Sequence, residues 1–400
     1  MGKVYKPLSE LGFIITGKTP KTDIVEYWDG TIPFITPTDI NGYRTYYQSE
    51  TDRTISKIGA NKQKATLLPP NSVCVTCIGS TIGKSCLTKV ASITNQQINS
   101  IVPNEENDYR YILYLIWYNL SYLQMIGGGS GSGTPIISKN KFAKFKFLVE
   151  ENLEVQHRIA SILSTYDTLI ENNTKRIRLL EKMAENLYKE WFVRFRFPGH
   201  ENVEMENGLP KGWKIVNLFD VADVTYGFAF KSNKFCDNAE LNPVVRIRDI
   251  QDNHTNTYTD EPCEDKYLIG KNAILIGMDG IFHMCLWNGE RAYLNQRVVM
   301  LNSKENGLCN YLLYLAIRPQ IKYWEQVISG TTVAHLGDKH LRRVKVLLPE
   351  KTILGKGNSI ISRAMEEKSV LQHQNSLLAR QRDLLLPRLM SGKLEIEPQI

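Results

Sequence analysis

Two long stretches of apolar residues at seven-residue spacing constrain this chain more than anything else in its sequence. Within Leu153 to Phe192, the residues Leu163, Tyr166, Ile170, Ile177, Leu180, Ala184, Leu187 and Trp191 recur on one helical seam. Such a stripe needs a partner helix to cover it. Asn173 interrupts the seam, and an asparagine at such a place commonly fixes register and partner number at some cost in stability. A second stretch, Ile353 to Met390, repeats the pattern with Leu354, Ile361, Ala364, Leu371, Leu378, Leu385 and Leu389, broken by Lys368, Asn375 and Arg382. The two stretches are expected to pair antiparallel, with Asn173 and Asn375 facing or close to each other. At about 1.5 Å per residue, a helix of roughly 40 residues extends about 60 Å, longer than a small domain is wide. Each helix therefore reads as a spacer.

The 400 residues are too many for one ordinary domain and carry enough apolar side chains for two cores. The net charge of +7 suits a polyanionic partner without requiring one. Its distribution says more: residues 1–150 hold 16 Lys+Arg against 11 Asp+Glu, whereas residues 200–349 hold 17 against 18. The basic excess sits mainly in the first part. Seven cysteines without framework spacing predict reduced thiols, and Cys74-Val75-Thr76-Cys77 has no second pair or nearby histidine to complete a zinc site. The N-terminus lacks a signal-peptide core, and no stretch reaches the length of a membrane span. A cytoplasmic protein with no membrane partner is expected.

An internal repeat decides the architecture. Pro33 to Ile40 matches Pro243 to Ile250, and Asn71 to Val75 matches Asn272 to Ile276. Thr94-Asn95-Gln96-Gln97-Ile98 matches Leu294-Asn295-Gln296-Arg297-Val298, and the helix Tyr109 to Met125 matches Tyr311 to Val327. Ser132-Gly133-Thr134 matches Ser329-Gly330-Thr331, and the basic strand candidate within Phe142 to Val149 matches Arg343 to Leu348. The common order, at an offset near 200, implies tandem globules. The expected fold is α+β: two similar mixed α/β globules separated by two long antiparallel coiled-coil helices in a pseudo-two-fold repeat. The boundaries read as globule 1–150, helix 151–197, globule 198–350, helix 351–392 and tail 393–400.

Catalytic machinery is not legible. The chain has no Gly-x-x-x-x-Gly-Lys-Ser/Thr phosphate loop and no Asn/Asp-Pro-Pro-aromatic tetrapeptide, and the glycine run at 127–133 lies between a helix and a strand, the reverse of a dinucleotide fold. Seven scattered histidines give no metal spacing. Both globules do carry polar and basic groups at loop tips, as phosphates and base edges require. The candidates are Thr36, Thr38, Ser80, Thr81, Gln97, Gly133, Thr134, Lys139 and Lys141 in the first, and Arg246, Arg248, Arg297, Thr331, His335, Lys339 and His340 in the second. Thr36 with Thr38, and Arg246 with Arg248, alternate on presumed strands and so would share a face. Any one of these lysines or arginines, taken alone, fits a solvated surface better, and the Asn-Gln pairs at 95–97 and 295–297 could equally be strand-edge devices. The run Trp191 to Pro198, which alternates aromatics with arginine, could grip nucleic acid but fits packing on a neighbouring domain better.

The stretch Glu171-Asn172-Asn173-Thr174-Lys175-Arg176-Ile177, continuing to Trp191-Phe192-Val193-Arg194-Phe195-Arg196-Phe197-Pro198-Gly199, and the closing Arg382-Asp383-Leu384-Leu385-Leu386-Pro387-Arg388-Leu389-Met390-Ser391-Gly392 resemble the helical regions of Type I restriction-modification specificity subunits. The paired Ser-Gly-Thr loops resemble that family's target-recognition domains, and the resemblance covers nearly the whole chain. It implies a non-catalytic subunit whose globules each read half of a split target in double-stranded DNA. It also implies that the helices set the gap and dock two modification subunits, and restriction subunits through them. On this reading the chain binds no cofactor, and S-adenosylmethionine, ATP and Mg belong to the partners. The residues expected to form the spacer and docking seam are Leu163, Ile170, Asn173, Ile177, Leu180, Leu187, Trp191, Ile361, Leu371, Asn375, Leu378 and Leu385. The second loop carries Val333-Ala334-His335-Leu336 where the first has Pro135-Ile136-Ile137, so the two tips need not contact DNA alike. The alternative from another class is an assembly adaptor whose globules bind protein.

Overall fold

The computed structural model describes residues 2–128, 135–328, 334–394 and 396. The chain forms two compact units, Met1–Asn173 with Gln374–Ile400, and Thr174–His373. Each contains one globule and a part of both long helices.

In the first unit, the strands Gly12–Thr16, Ile98–Pro103, Val73–Thr76, Ser85–Thr88 and Arg44–Gln48 form one sheet in that order. Val73–Thr76 and Ser85–Thr88 are buried at every position, because both faces of the sheet are covered. One face packs Val73, Val75 and Leu87 against Tyr111, Leu115 and Trp117 of the helix Tyr109–Tyr118. The other packs Cys74, Cys86 and Ile98 against Ile35, Ile40 and Leu68. Cys74 and Cys77 thus enter different cores and do not converge. A second sheet runs Thr54–Ile55, Trp28–Ile35, Ser92–Thr94, Leu67–Leu68, with the central pair parallel at Phe34 and Ile93. Lys3–Pro7 and Lys146–Glu150 form an antiparallel ribbon.

The second unit repeats this plan. Ala222–Tyr226, Val298–Ser303, Ile274–Gly277 and Met284–Leu286 form the first sheet, and Tyr258–Thr259, Asn242–Val245, Ala292–Leu294 and Leu268–Ile269 the second, again with a parallel central pair at Val244 and Tyr293. Lys214–Asn217 and Lys345–Leu348 supply the ribbon. The repeat read from the sequence is therefore a repeat of strand order.

Three local expectations fail for local reasons. The helix expected over Tyr109 to Met125 breaks into Tyr109–Tyr118 and Leu120–Gly128 at Asn119, whose φ of −97° and ψ of 16° leave the helical region. Its counterpart Asn310–Ile328 runs through, with Pro319 inside. The basic strand expected over Phe142 to Val149 begins at Lys146, since Ser138 caps a short helix, Lys139–Ala143, by accepting from the Lys141 amide at 3.3 Å. The strand from Pro243 ends at Val245, where a 3-10 turn, Ile247–Asp249, begins.

The long helices span Leu153–Tyr188, followed by a π turn at Lys189–Val193, and Lys351–Ser391. Within the first unit Asp167 pairs with Arg382, and Asn173 donates to Gln374, the neighbour of Asn375, at 3.4 Å. Within the second, Arg176 pairs with Glu367 at 2.5 Å and Glu181 with Lys368 at 2.6 Å. In the first unit numbers rise on one helix as they fall on the other, and in the second the step from Glu181 with Lys368 to Phe192 beside Gly357 does the same, so the segments in each unit are antiparallel. Leu163, Asn173, Ile361 and Leu371 are buried in this seam, and Ile170, Ile177, Leu180, Leu187, Trp191, Asn375, Leu378 and Leu385 are half-buried. Phe192 and Phe197 are buried against Trp213, while Arg194 and Arg196 turn outward to Glu190, so the aromatic run packs on the second globule. Gly357 permits this: a Cβ there would lie 2.6 Å from the Phe192 ring.

Arg382, a seam position that the heptad pattern marks as a break, carries the first unit's central ion pair. Asp167 and Arg382 are 3% and 6% exposed. Tyr114 donates to the same carboxylate at 2.6 Å, and the guanidinium lies 4.9 Å from the Trp117 ring centroid. Asp383 accepts from Arg382 and also pairs with Arg44 of the globule at 2.8 Å. Burial lifts the Asp167 carboxyl above the usual carboxylate range, against the pull of Arg382 and Tyr114. Burial alone would depress the guanidinium, but Asp167 and Asp383 raise it instead. The C-terminal end of the second helix is tied down as well. Lys3 donates to the Met390 carbonyl at 2.6 Å, and Ile396 enters the first unit's core.

Removing one member of a buried pair strands the other charge, at a cost of about 3–5 kcal/mol. Asp167→Ala is expected to destabilise the first unit by that amount, and Asp167→Leu with Arg382→Met by much less. Hydrogen exchange of Tyr109–Tyr118 measures it, and equal protection in Asp167→Ala and the parent chain would refute the assignment.

Candidate nucleic-acid interface

Each globule gathers four loops at one end by the same backbone bonds. In the first, Asn95 donates to the Ile35 carbonyl at 3.1 Å, Cys77 to Gln97 at 2.8 Å, Gly79 to Pro135 at 2.9 Å, and Ile137 to Cys77 at 2.8 Å. In the second, Asn295 donates to Val245 at 3.2 Å, Met278 to Arg297 at 3.0 Å, Gly280 to Ala334 at 3.0 Å, and Leu336 to Met278 at 2.8 Å. Thr36, Ser80, Thr81 and Gln97 are thereby brought to one edge of the first globule, and Arg246, Arg248, Arg297 and His335 to one edge of the second. Gly133, Thr134 and Thr331 lie outside the described residues.

The shared faces expected for Thr36 with Thr38 and for Arg246 with Arg248 do not come from strand alternation. The strands end at Ile35 and Val245, and all four residues sit in the following turns. An aspartate closes each turn. Asp39 accepts from the Thr36 amide at 2.8 Å and its hydroxyl at 2.6 Å, and Thr36 bonds Thr38 at 2.7 Å. Asp249 accepts from the Arg246 amide at 2.8 Å and the Thr255 hydroxyl at 3.1 Å. Burial raises the Asp249 carboxyl above the ordinary range, with Thr255 and Arg248 opposing. These aspartates escaped the residue-by-residue reading, although both stand at matching places in the aligned repeats.

The side chains on these matching scaffolds differ. In the first globule Asn95 donates to the Gln97 side chain at 3.2 Å, and the Thr81 hydroxyl is spent on the Ile78 carbonyl at 3.0 Å. Lys84 reaches the Ile40 carbonyl at 3.0 Å and Tyr43 the Ser80 carbonyl at 2.9 Å, so two of the loops are braced. In the second globule Arg246, Ile247, Arg248, Asn295 and Arg297 line a cavity of about 320 Å³. Arg297 pairs with Asp279 at 3.3 Å, and the other Asp279 oxygen meets His335 at 2.6 Å. No spacing in the sequence announces that triad.

Lys139 and Lys141 are exposed on the capped helix Lys139–Ala143, and Lys339 and His340 occupy the equivalent helix Asp338–Leu341. Asp338 bonds Tyr226 at 2.8 Å and Arg342 at 2.5 Å, and both hold its carboxyl below the usual range, Arg342 most strongly. His340 accepts from the Gly337 amide at 3.0 Å. Burial, then Lys339, Arg343 and His335, lowers its pKa from 6.5, so it adds little positive charge at neutral pH. Among the described residues no group of three or more His, Cys, Asp or Glu converges to hold a metal ion, and no helix is long and apolar enough to cross a membrane.

The long helices carry a second apolar stripe outside the seam. Ile162 and Leu169, with Leu377 and Leu384, are exposed in the first unit; Leu179 and Met183, with Ile360 and Val370, are exposed in the second. Val370, Leu377 and Leu384 repeat every seven residues, as do Ile162 and Leu169. The expected seam residues are buried or half-buried, whereas these face outward.

A family described as Type I restriction modification DNA specificity domain matches residues 2–182 and 210–368. The chain is 29% identical to the Type I restriction enzyme MjaIX specificity subunit of Methanocaldococcus jannaschii, over 98% of this chain and 93% of that one. It is 32% identical to the HindI specificity subunit of Haemophilus influenzae over 183 residues, 45% of this chain and 39% of that one, about the length of one globule with its helix. Its fold is similar to the crystal structure of a Type I restriction-modification S subunit from M. genitalium, with a TM-score of 0.61, 15% identity, and coverage of 97% and 96%.

Proposed function

Since the chain belongs to the family of Type I restriction modification DNA specificity domains, we propose that its two four-loop tips each read one half of a bipartite double-stranded DNA target. The chain is the non-catalytic DNA-recognition subunit of its system. The observation that carries the bipartite reading is the duplication of one backbone scaffold, bond for bond, under two unlike sets of side chains. Identical tips would suit a symmetric target, and unlike tips suit an asymmetric one. The exposed lysines Lys139, Lys141 and Lys339 supply phosphate contacts, which fix position, while the residues of the braced loops meet base edges.

The paired helices set the unspecified gap between half-sites, and their outward apolar stripes dock two modification subunits, through which restriction subunits join. S-adenosylmethionine, ATP and Mg are held by those partners, in the cytoplasm where chromosomal DNA lies. The stripe residues are apolar, exposed and at helical spacing, the chemistry that receives an amphipathic helix.

Three measurements test this reading. Co-expression with a Type I modification subunit, followed by single-molecule mapping of methylated bases, is expected to give a split motif with a fixed gap, absent when this chain is omitted. Methylation without such a motif would exclude it. Deleting one heptad from within Leu163–Ala184 is expected to change the gap while sparing both half-sites, and an unchanged gap would remove the helices as its ruler. Leu377→Glu with Leu384→Glu, at exposed positions, is expected to abolish co-purification of the modification subunit without lowering the chain's own stability. Retained co-purification would place docking elsewhere.

A further inference from the structure

We propose that Arg297 is the specificity-determining residue of the second globule, reading the major-groove edge of a guanine, with Asp279 and His335 as its positioning residues. The inference rests on the DNA reading above and adds what neither the family nor the relatives assign: the base and the residue that selects it.

The two globules supply an internal comparison. Gln97 and Arg297 occupy one place in the repeat, two residues after Asn95 and Asn295, and their carbonyls accept equivalent bonds from Cys77 and Met278. The scaffold therefore presents a neutral amide in one tip and a guanidinium in the other. A guanidinium fork matches the O6 and N7 acceptors of guanine, whereas a glutamine amide matches the N6 and N7 of adenine.

Three arginines border the cavity, and their surroundings separate their roles. Arg246 is half-buried, bonded to Thr257 and 3.8 Å from Asp249, so it serves the turn. Arg248 has a side chain 69% exposed and only a 3.9 Å approach to Asp249, which suits a phosphate, since phosphate attraction needs charge and little direction. Arg297 differs from both. Its Nη1 meets Asp279 Oδ2 at 3.3 Å, and its side chain remains 57% exposed, with no other partner for the fork among the described residues. Asp279 is itself held, through its second oxygen, by His335 at 2.6 Å and by the backbone bridge between the two residues. A carboxylate so anchored limits the rotamers of the arginine, and a pre-set planar fork is what a bidentate base contact needs. Asn295 and the Arg246–Arg248 turn leave a concavity of about 320 Å³ beside it, open to a base edge.

The test is methylation mapping of genomic DNA from cells that co-express the modification subunit with this chain or its variants. The parent chain is expected to require a G·C pair at one position of one half-site. Arg297→Lys keeps the charge and loses the fork, so preference at that one position should fall about ten- to hundred-fold, the range for one bidentate pair. The other half-site should stay unchanged. Asp279→Asn should weaken the same position to a lesser degree. Arg248→Gln should lower modification evenly over all sites. An Arg297→Lys variant with the parent motif, or one whose modification falls evenly without a change of motif, would make Arg297 a phosphate contact and overturn the inference. A bipartite motif with no guanine dependence on Arg297 would do the same while leaving the DNA reading intact. Absence of any bipartite motif in the parent would overturn the DNA reading itself.

Discussion

The antiparallel pairing of the long helices is the constraint on which the rest depends, because each globule packs on a part of both. In the first unit Leu163 and Leu389 enter the same core as Tyr111 and Trp117. In the second, Ala184 and Ile361 enter the same core as Leu312 and Ile317. A heptad seam alone tolerates slippage by whole repeats, since every apolar layer resembles the next. The polar seam residues remove that freedom. Asp167 with Arg382 in the first unit, and Glu181 with Lys368 in the second, are satisfied in one register only. A slip would leave the buried Asp167 carboxylate without Arg382, at a cost of about 3–5 kcal/mol. Stability is surrendered at these positions for register, as a buried polar residue does in simpler coiled coils.

Fixing the register through the helices leaves the tips free to differ. The bonds that gather the four loops in each globule run between backbone atoms, so they persist whatever side chain stands at 97 or 297. Asp39 and Asp249 close their turns through backbone amides at Thr36 and Arg246, two residues with nothing in common. Recognition chemistry is thereby separated from folding. A threonine, a glutamine or an arginine can occupy these places without disturbing the sheets beneath.

Periodicity and repetition made the architecture legible, because both are properties of spacing and survive without coordinates. The seam from Leu163 to Leu187 and the matched order of strands in the two halves are of this kind. Features set by one side chain against its own backbone were not legible. At Asn119 the backbone leaves the helical region although its neighbours favour helix, and Ser138 starts a helix where the pattern of Phe142 to Val149 suggests a strand. At the tips, alternation in the sequence suggested strands for Thr36, Thr38, Arg246 and Arg248, which instead project from turns. The Asp279, Arg297 and His335 group joins three separate loops, and nothing in the spacing of residues 279, 297 and 335 foretells it. The outward stripe of Val370, Leu377 and Leu384 has heptad spacing, but the stronger seam beside it obscured it.

Charge placement adds a difference between the globules that their shared fold conceals. The first has the basic excess, and Lys139, Lys141, Lys144 and Lys146 stand exposed with no carboxylate partner among the described residues. Such charges add to a long-range field that draws a polyanion from any direction and is screened by salt. The second has near balance, and its arginines at the cavity each approach an aspartate: Arg246 and Arg248 near Asp249, and Arg297 near Asp279. Arg246 and Arg248 share Asp249 and leave a net positive charge, but the guanidinium of Arg297 adds little field at a distance, because Asp279 cancels it there. At contact it still offers donors in fixed directions. Equal folds can therefore carry unequal charge, exposed unpaired lysines in the first globule and a held guanidinium at the tip of the second, and the difference rests on whether each cation has a neighbouring anion.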